Sequence, residues 1–146
     1  MTSKLTLTKS NNIYSLSVEA STSQLAKVRD FVAEHAERLG LSDKEIGNIR
    51  LAVDEAYTNI IKHAYKNIPA KPVKIELGSD SSQLWISIKD EGESFDVQAY
   101  NEPDIRQRIK NKQRGGMGVY LIRKLMDSVQ YTRTGHMNEI RMIKHL

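Results

Sequence analysis

Glu55, Asn59 and His63 recur at four-residue steps within the run Leu51 to Tyr65. Four residues of α-helix turn about 40° past a full circle, so a helix here would align these three polar groups on one ridge. Two readings fit that ridge. An ordinary solvated face would carry the same residue types. Alternatively, Glu55 is a general base and Asn59 lends its carbonyl oxygen to a hard cation such as Mg²⁺, for which oxygen donors are suited. A second group is Asp90-Glu-Gly92-Glu-Ser-Phe95, where an alternating run ends in a carboxylate followed by a glycine. The Asp90 carboxylate can accept an exocyclic amino proton, and Gly92 leaves room for a flat ring, although Asp-x-Gly is also a common turn. The third is Arg114-Gly115-Gly116-Met117-Gly118-Val119, directly ahead of a helical pattern. Its glycines let the backbone approach a ligand closely, and the helix start presents unpaired N–H groups, an arrangement that suits a phosphate chain or else a plain hinge. It is not the dinucleotide fingerprint, which follows a strand in a βαβ unit, nor a P-loop, which needs Gly-Lys-Ser/Thr.

The elements that must position these groups are legible from periodicity. Ile46, Ile49, Val53, Ala56, Ile60 and Ala64 form an apolar stripe on the same helix as the ridge, so that helix is expected to be held by the core. Ser42 with Glu45 has capping-box spacing and marks its start; its end is expected near Tyr65, ahead of Pro69 and Pro72. An earlier helix follows Ser21-Thr-Ser23, carries Leu25, Val28, Phe31, Val32, His35 and Leu39 at helical spacing, and stops at Gly40, with His35 expected at the edge of its apolar face. Lys4 to Val18 alternates around Ser10-Asn-Asn12 and reads as a strand pair or, preferentially, as one firm strand near Tyr14 to Val18. Val73 to Leu77 and Leu84 to Asp90 read as a hairpin with one wet face, and Val129 to Arg133 with Glu139 to Ile143 as a second hairpin around Gly135. Val119 to Met126 is helical, with Ile122, Leu125 and Met126 inward. From Glu91 to Met117 no apolar period persists, which predicts a functional loop or a disordered connection.

The fold class expected is α+β: two layers, with a mixed, mostly antiparallel sheet covered on one face by about three helices. At 146 residues, one domain spanning 1–146 is expected. The chain has no cysteine, which excludes disulfides, thiolate nucleophiles and zinc–thiolate sites. No spanning apolar run and no secretory pattern is found, so a cytoplasmic protein with no membrane contact is expected. The net charge of +4 is modest, and part of it lies in one run from Arg106 to Arg114. Without aromatic interleaving or a reading motif, that run does not argue for direct nucleic-acid binding.

In order and spacing, Glu55-Ala-Tyr-Thr-Asn59 with His63-Ala-Tyr65, Asp90-x-Gly92-x-x-Phe95 and Gly115-Gly-Met-Gly118-Val-Tyr-Leu-Ile122 resemble the Bergerat ATP-binding fold of histidine kinases and DNA gyrase. Within it they look most like the anti-sigma factor serine/threonine kinases of bacterial partner switches, over nearly the whole chain. The resemblance implies ATP and Mg²⁺ as ligands, Glu55 as the base acting on a substrate serine, Asn59 on Mg²⁺, and Asp90 on the adenine amino group with Gly92 against the ring. It further implies backbone contacts from Gly116, Met117 and Gly118 to the phosphates, flanked by Gly115 and Val119, with His63, Phe95 and Arg114 in the nucleotide site and residues 96–114 as an ATP lid. The partners implied are an anti-anti-sigma (STAS-domain) protein, a sigma factor and a second copy in a homodimer. One departure stands at Ser94, where much of the superfamily has glycine, and it bears on lid mobility more than on binding. The alternative function is a non-catalytic, ATP-gated binding module of the same fold.

Overall fold

Alternating apolar residues bury one face of a strand, and in this chain they line up across strands far apart in sequence. The computed structural model describes residues 6–10, 13–65, 71–92 and 117–146. Its strands are β1 (Thr6–Ser10), β2 (Ile13–Glu19), β3 (Pro72–Ser79), β4 (Gln83–Asp90), β5 (Ser128–Thr134) and β6 (Met137–His145), joined in one six-stranded sheet of order β1-β2-β3-β4-β6-β5. Leu16, Ile75, Ile88 and Ile140 stand abreast on β2, β3, β4 and β6, and all four are buried. Burying side chains of this size stabilises by roughly 1.5–3 kcal/mol each. Every pairing between described strands is antiparallel. The last hairpin folds so that β6, not β5, lies against β4, which separates β4 from the one neighbour that would run parallel to it.

The amino end differs from the preferred expectation of a single strand. β1 pairs with β2 along its length, Thr6 opposite Ser17 through Ser10 opposite Ile13. An edge strand rich in Thr and Ser has too few apolar residues to announce itself, and the neighbour supplies its order through backbone bonds.

Among the described residues, three α-helices complete the layer: α1 (Leu25–Arg38), α2 (Asp43–Asn59) and α3 (Met117–Leu125). Their buried residues join the inner sheet face in one hydrophobic cluster that includes Val28, Val32, Ile49, Val53, Ala56 and Ile122. The expected stops and starts are present. Gly40 takes φ 81° just past α1, a left-handed conformation that glycine adopts without a Cβ clash. Ser42 Oγ accepts from Glu45 N at 3.2 Å and Glu45 Oε1 accepts from Ser42 N at 3.1 Å, closing the capping box of α2. Two residues hold α2 in place. Asp54 takes both Arg29 Nε (3.0 Å) and Nη2 (2.9 Å) from α1. The buried Tyr57 hydroxyl donates to Ser21 O (2.8 Å) and accepts from Ser21 N (3.2 Å) just beyond β2.

His35 is not at the edge of a helix face, as its polarity suggests, but 8% exposed. Its Nδ1 lies 2.8 Å from Phe31 O, one turn back, and its ring packs 4.3 Å from Tyr14 and 4.9 Å from Phe31. The helix's own carbonyl partners one ring nitrogen, which lets the imidazole be buried as an aromatic. The sheet face away from the helices is covered by its own side chains. Lys89 bridges to Glu76 at 2.6 Å, Ser87 donates to Glu139, and Arg141 stacks 4.9 Å over Trp85. Trp85 in turn lies on Gly78, where a Cβ would meet the indole at 2.5 Å. Gly78, one residue past the Val73 to Leu77 run read from sequence as strand, is therefore itself a strand residue that makes room for a ring.

Candidate functional site

Glu55 and Asn59 occupy successive turns at the carboxyl end of α2, each half-buried. The buried residues Ala52, Val53, Ala56 and Tyr57 fix the adjoining face of the helix, so the ridge cannot rotate away from its position. Neither side chain has a hydrogen-bond or ion-pair partner among the described residues, although the neighbouring acid, Asp54, is fully engaged with Arg29. Beyond Asn59 the helix widens. The N–H of Tyr65 bonds to Ile60 O at 2.9 Å, five residues back, and residues Ile60–Ala64 form a π-type turn. The backbone rotation per residue after Asn59 therefore differs from that between Glu55 and Asn59. The side chain of His63 lies outside the described residues. Such widened turns recur at functional positions.

Asp90 is the last residue of β4 and falls on the inner, helix-facing side by the alternation Leu84, Ile86, Ile88, Asp90. It is 5% exposed. Among the described residues its hydrogen bonds use one oxygen: Oδ1 accepts from Gly92 N at 2.9 Å and from Asn138 Nδ2 at 2.9 Å. This leaves Oδ2 for a ligand. Gly92 O accepts from Asn138 Nδ2 at 3.0 Å and Arg133 Nη1 at 3.2 Å, so the turn after β4 is held by two side chains of the last hairpin. Sequence motifs singled out neither Asn138 nor Arg133.

Tyr65 joins the two groups. Its hydroxyl donates to Pro72 O at 2.6 Å and accepts from Glu91 N at 2.7 Å, tying the end of the α2 segment to the start of β3 and to the residue after Asp90. Burial, together with the nearby Asp90 and Glu91 carboxylates, pushes this phenol up against the opposing effect of the Glu91 N–H bond, so it stays neutral and able to donate. The sequence reading used Tyr65 as a helix end and as part of the His63-Ala-Tyr65 likeness, without giving it a role of its own.

Of the glycine-rich stretch, Met117, Gly118 and Val119 form the first turn of α3, which packs on α2 and is anchored by Ile122 and Met126. Phe95, Arg114, Gly115, Gly116, Ser94 and the expected lid at 96–114 lie outside the described residues, as do the side chains of Met117, Gly118 and Val119. No group of three or more His, Asp or Glu side chains that could hold a metal is gathered among the described residues. The ridge offers Asn59's single amide oxygen beside the Glu55 carboxylate. That donor set fits Mg²⁺, which binds through one or two protein oxygens and completes its octahedron with phosphate oxygens and water.

Residues 18–144 match the family model described as the histidine kinase-like ATPase domain. The chain belongs to this family. As a histidine kinase-like ATPase domain, it is 34% identical over 119 residues to the serine-protein kinase RsbW of Halalkalibacterium halodurans, an alignment covering 79% of this chain and 72% of that protein. It is 32% identical to the serine-protein kinase RsbW of Bacillus thuringiensis, with 79% and 74% covered. Among solved structures, that of the RsbU and RsbW domains of a Mycobacterium tuberculosis protein superposes with a TM-score of 0.64 at 13% identity, a likeness of fold. It covers 90% of this chain, and this chain spans 31% of that longer one. No helix among the described residues of the ATPase domain is long and apolar enough to cross a membrane.

Proposed function

We propose that this ATPase domain is a protein-serine/threonine kinase that doubles as an anti-sigma factor, transferring the γ-phosphoryl group of ATP to a serine of a STAS-domain anti-anti-sigma protein and, in its other partnership, sequestering a sigma factor. The observation that carries the reading is the pair of unengaged groups, Glu55 and Asn59, on a helix whose end is bonded through Tyr65 to the turn after Asp90. The relatives named serine-protein kinase support a serine acceptor.

Phosphoryl transfer requires positioning and charge neutralisation more than covalent chemistry from the protein. Glu55 accepts the proton of the attacking serine hydroxyl. The serine Oγ bonds to the γ-phosphorus as the bond to the β,γ-bridging oxygen breaks, and ADP leaves with that electron pair. Asn59 would hold Mg²⁺, which supplies neutralisation of phosphate charge when bound. Asp90 Oδ2 accepts from the adenine amino group, with Gly92 admitting the ring. The backbone of Gly116, Met117 and Gly118 would contact the phosphates, flanked by Gly115 and Val119, and residues 96–114 would serve as the ATP lid. His63, Phe95 and Arg114 complete the nucleotide site.

The test is phosphate transfer from ATP with Mg²⁺ to a purified STAS-domain partner, with Glu55→Gln beside the wild type. The expected result is transfer by the wild type, and its loss by about 10²-fold or more in the variant with nucleotide affinity within about threefold. Full activity in Glu55→Gln would remove Glu55 from its role. Nucleotide-dependent partner binding without any transfer would make the domain an ATP-gated binding module.

A further inference from the structure

The three-residue chain Arg133, Asn138 and Asp90 spans the last three strands of the sheet. Asn138 stands opposite Asp90 in the β4–β6 pairing and opposite Arg133 in the β5–β6 pairing, all on the helix-facing side. The Asn138 amide has one self-consistent orientation. The Asp90 carboxylate and the Gly92 carbonyl only accept, so both must face Nδ2, at 2.9 and 3.0 Å; the Arg133 guanidinium only donates, so it must face Oδ1, at 2.7 Å. Arg133 therefore sets which way the amide points, and the amide sets which oxygen of Asp90 is occupied.

We propose that Asn138, oriented by Arg133, is a positioning residue that fixes Asp90 and so makes this site select 6-amino over 6-oxo purines. With Oδ1 filled by Gly92 N and Asn138 Nδ2, the carboxylate is held as an acceptor with Oδ2 directed at the base. An amino group at purine position 6 donates to it. A carbonyl at that position brings two acceptors together and leaves a buried carboxylate oxygen unpaired, an arrangement that costs more than the hydrogen bond gains. Freed from Asn138, the carboxylate can rotate about its own bond and bring in water, and the discrimination falls. Neither residue belongs to the motifs that mark the site. The proposal rests on the nucleotide-binding reading above.

The test is the ratio of ATP to ITP affinity, by calorimetry in Mg²⁺, for wild type, Asn138→Ala, Arg133→Ala and Asn138→Asp, with a thermal melt of each. In Asn138→Ala, ATP affinity is expected to drop about tenfold or more while ITP affinity holds, collapsing the ratio. Arg133→Ala should move the ratio the same way by a smaller factor, because the amide remains but loses the group that orients it. Asn138→Asp adds a diagnostic that a purely structural role would not give. It keeps the size of the side chain and its contact with Arg133 but turns the donor facing Asp90 into an acceptor, so the ATP-to-ITP ratio should fall at least as far as in Asn138→Ala. A wild type that binds ATP, with all three variants keeping its ratio, overturns this proposal alone. A wild type that binds neither nucleotide overturns the reading beneath it as well.

Discussion

Asp90 is oriented by groups 48 residues away in the chain, and its chemistry depends on that orientation. A carboxylate at a strand end is common, whereas one buried to 5% exposure with two donors on a single oxygen is set up to offer the other. Replacing it by an amide keeps the volume and removes the charge. Asp90→Asn is expected to weaken ATP binding by about 1.5–3 kcal/mol, the usual value of a hydrogen bond to a charged group, measured by calorimetry with the melting temperature as control. Tyr65→Phe tests the tie between helix and turn. It leaves Glu91 N and Pro72 O without their partner, and a loss of about 1–3 kcal/mol in urea unfolding is expected, with weaker ATP binding alongside. The sequence pointed to Asp90 because the Leu84 to Asp90 alternation and Gly92 are local. It could not point to Asn138, since that residue meets Asp90 only through the pairing of β6 with β4, 48 residues away in the chain.

At the scale of elements, local signals did most where a helix begins or ends. The capping box at Ser42 and Glu45 and the left-handed Gly40 stand where the sequence put them. Glu45 is held below its ordinary carboxylate range, chiefly by the Ser42 N–H and then by the Ser42 hydroxyl. A lowered folded pKa means that this contribution is complete above the unfolded value near 4.5 and is lost as pH falls through the lower folded value. Urea midpoints of wild type and Glu45→Gln should therefore draw together as pH is lowered below 4.5 and stay apart at pH 7, because the wild-type carboxylate takes up its proton along the way. The widened turn after Asn59 was less accessible. Its only trace is that the buried Ile60 and Tyr65 lie five residues apart, a spacing a uniform helix does not favour, and Ile61 is buried beside them. Gly78→Ala should cost about 1–3 kcal/mol in unfolding free energy, because the added Cβ meets Trp85 and the indole is itself held under Arg141.

Among the described residues the molecule is a layer of helices on an antiparallel sheet, with the candidate site at the end of α2, which is bonded through Tyr65 to the turn after β4 and packed against α3. Any ligand confined to the folded state stabilises by mass action, so ATP with Mg²⁺ at 100 times its Kd should raise unfolding free energy by about 2.7 kcal/mol, with EDTA reducing the shift in a thermal melt. An unchanged melt at saturating nucleotide would count against the site as a whole. By itself the sequence determined α1 and α2, the capping box and the Gly40 stop, and both later hairpins, and it nominated Glu55, Asn59 and Asp90, because each rests on the spacing of residues within a turn or a strand. Only the tertiary structure decided that β1 is a strand, that His35 is buried, that β6 rather than β5 lies beside β4, and that Asn138 and Arg133 stand over Asp90. Those are matters of which distant backbones meet, and pairing across a sheet leaves no local signature in either strand.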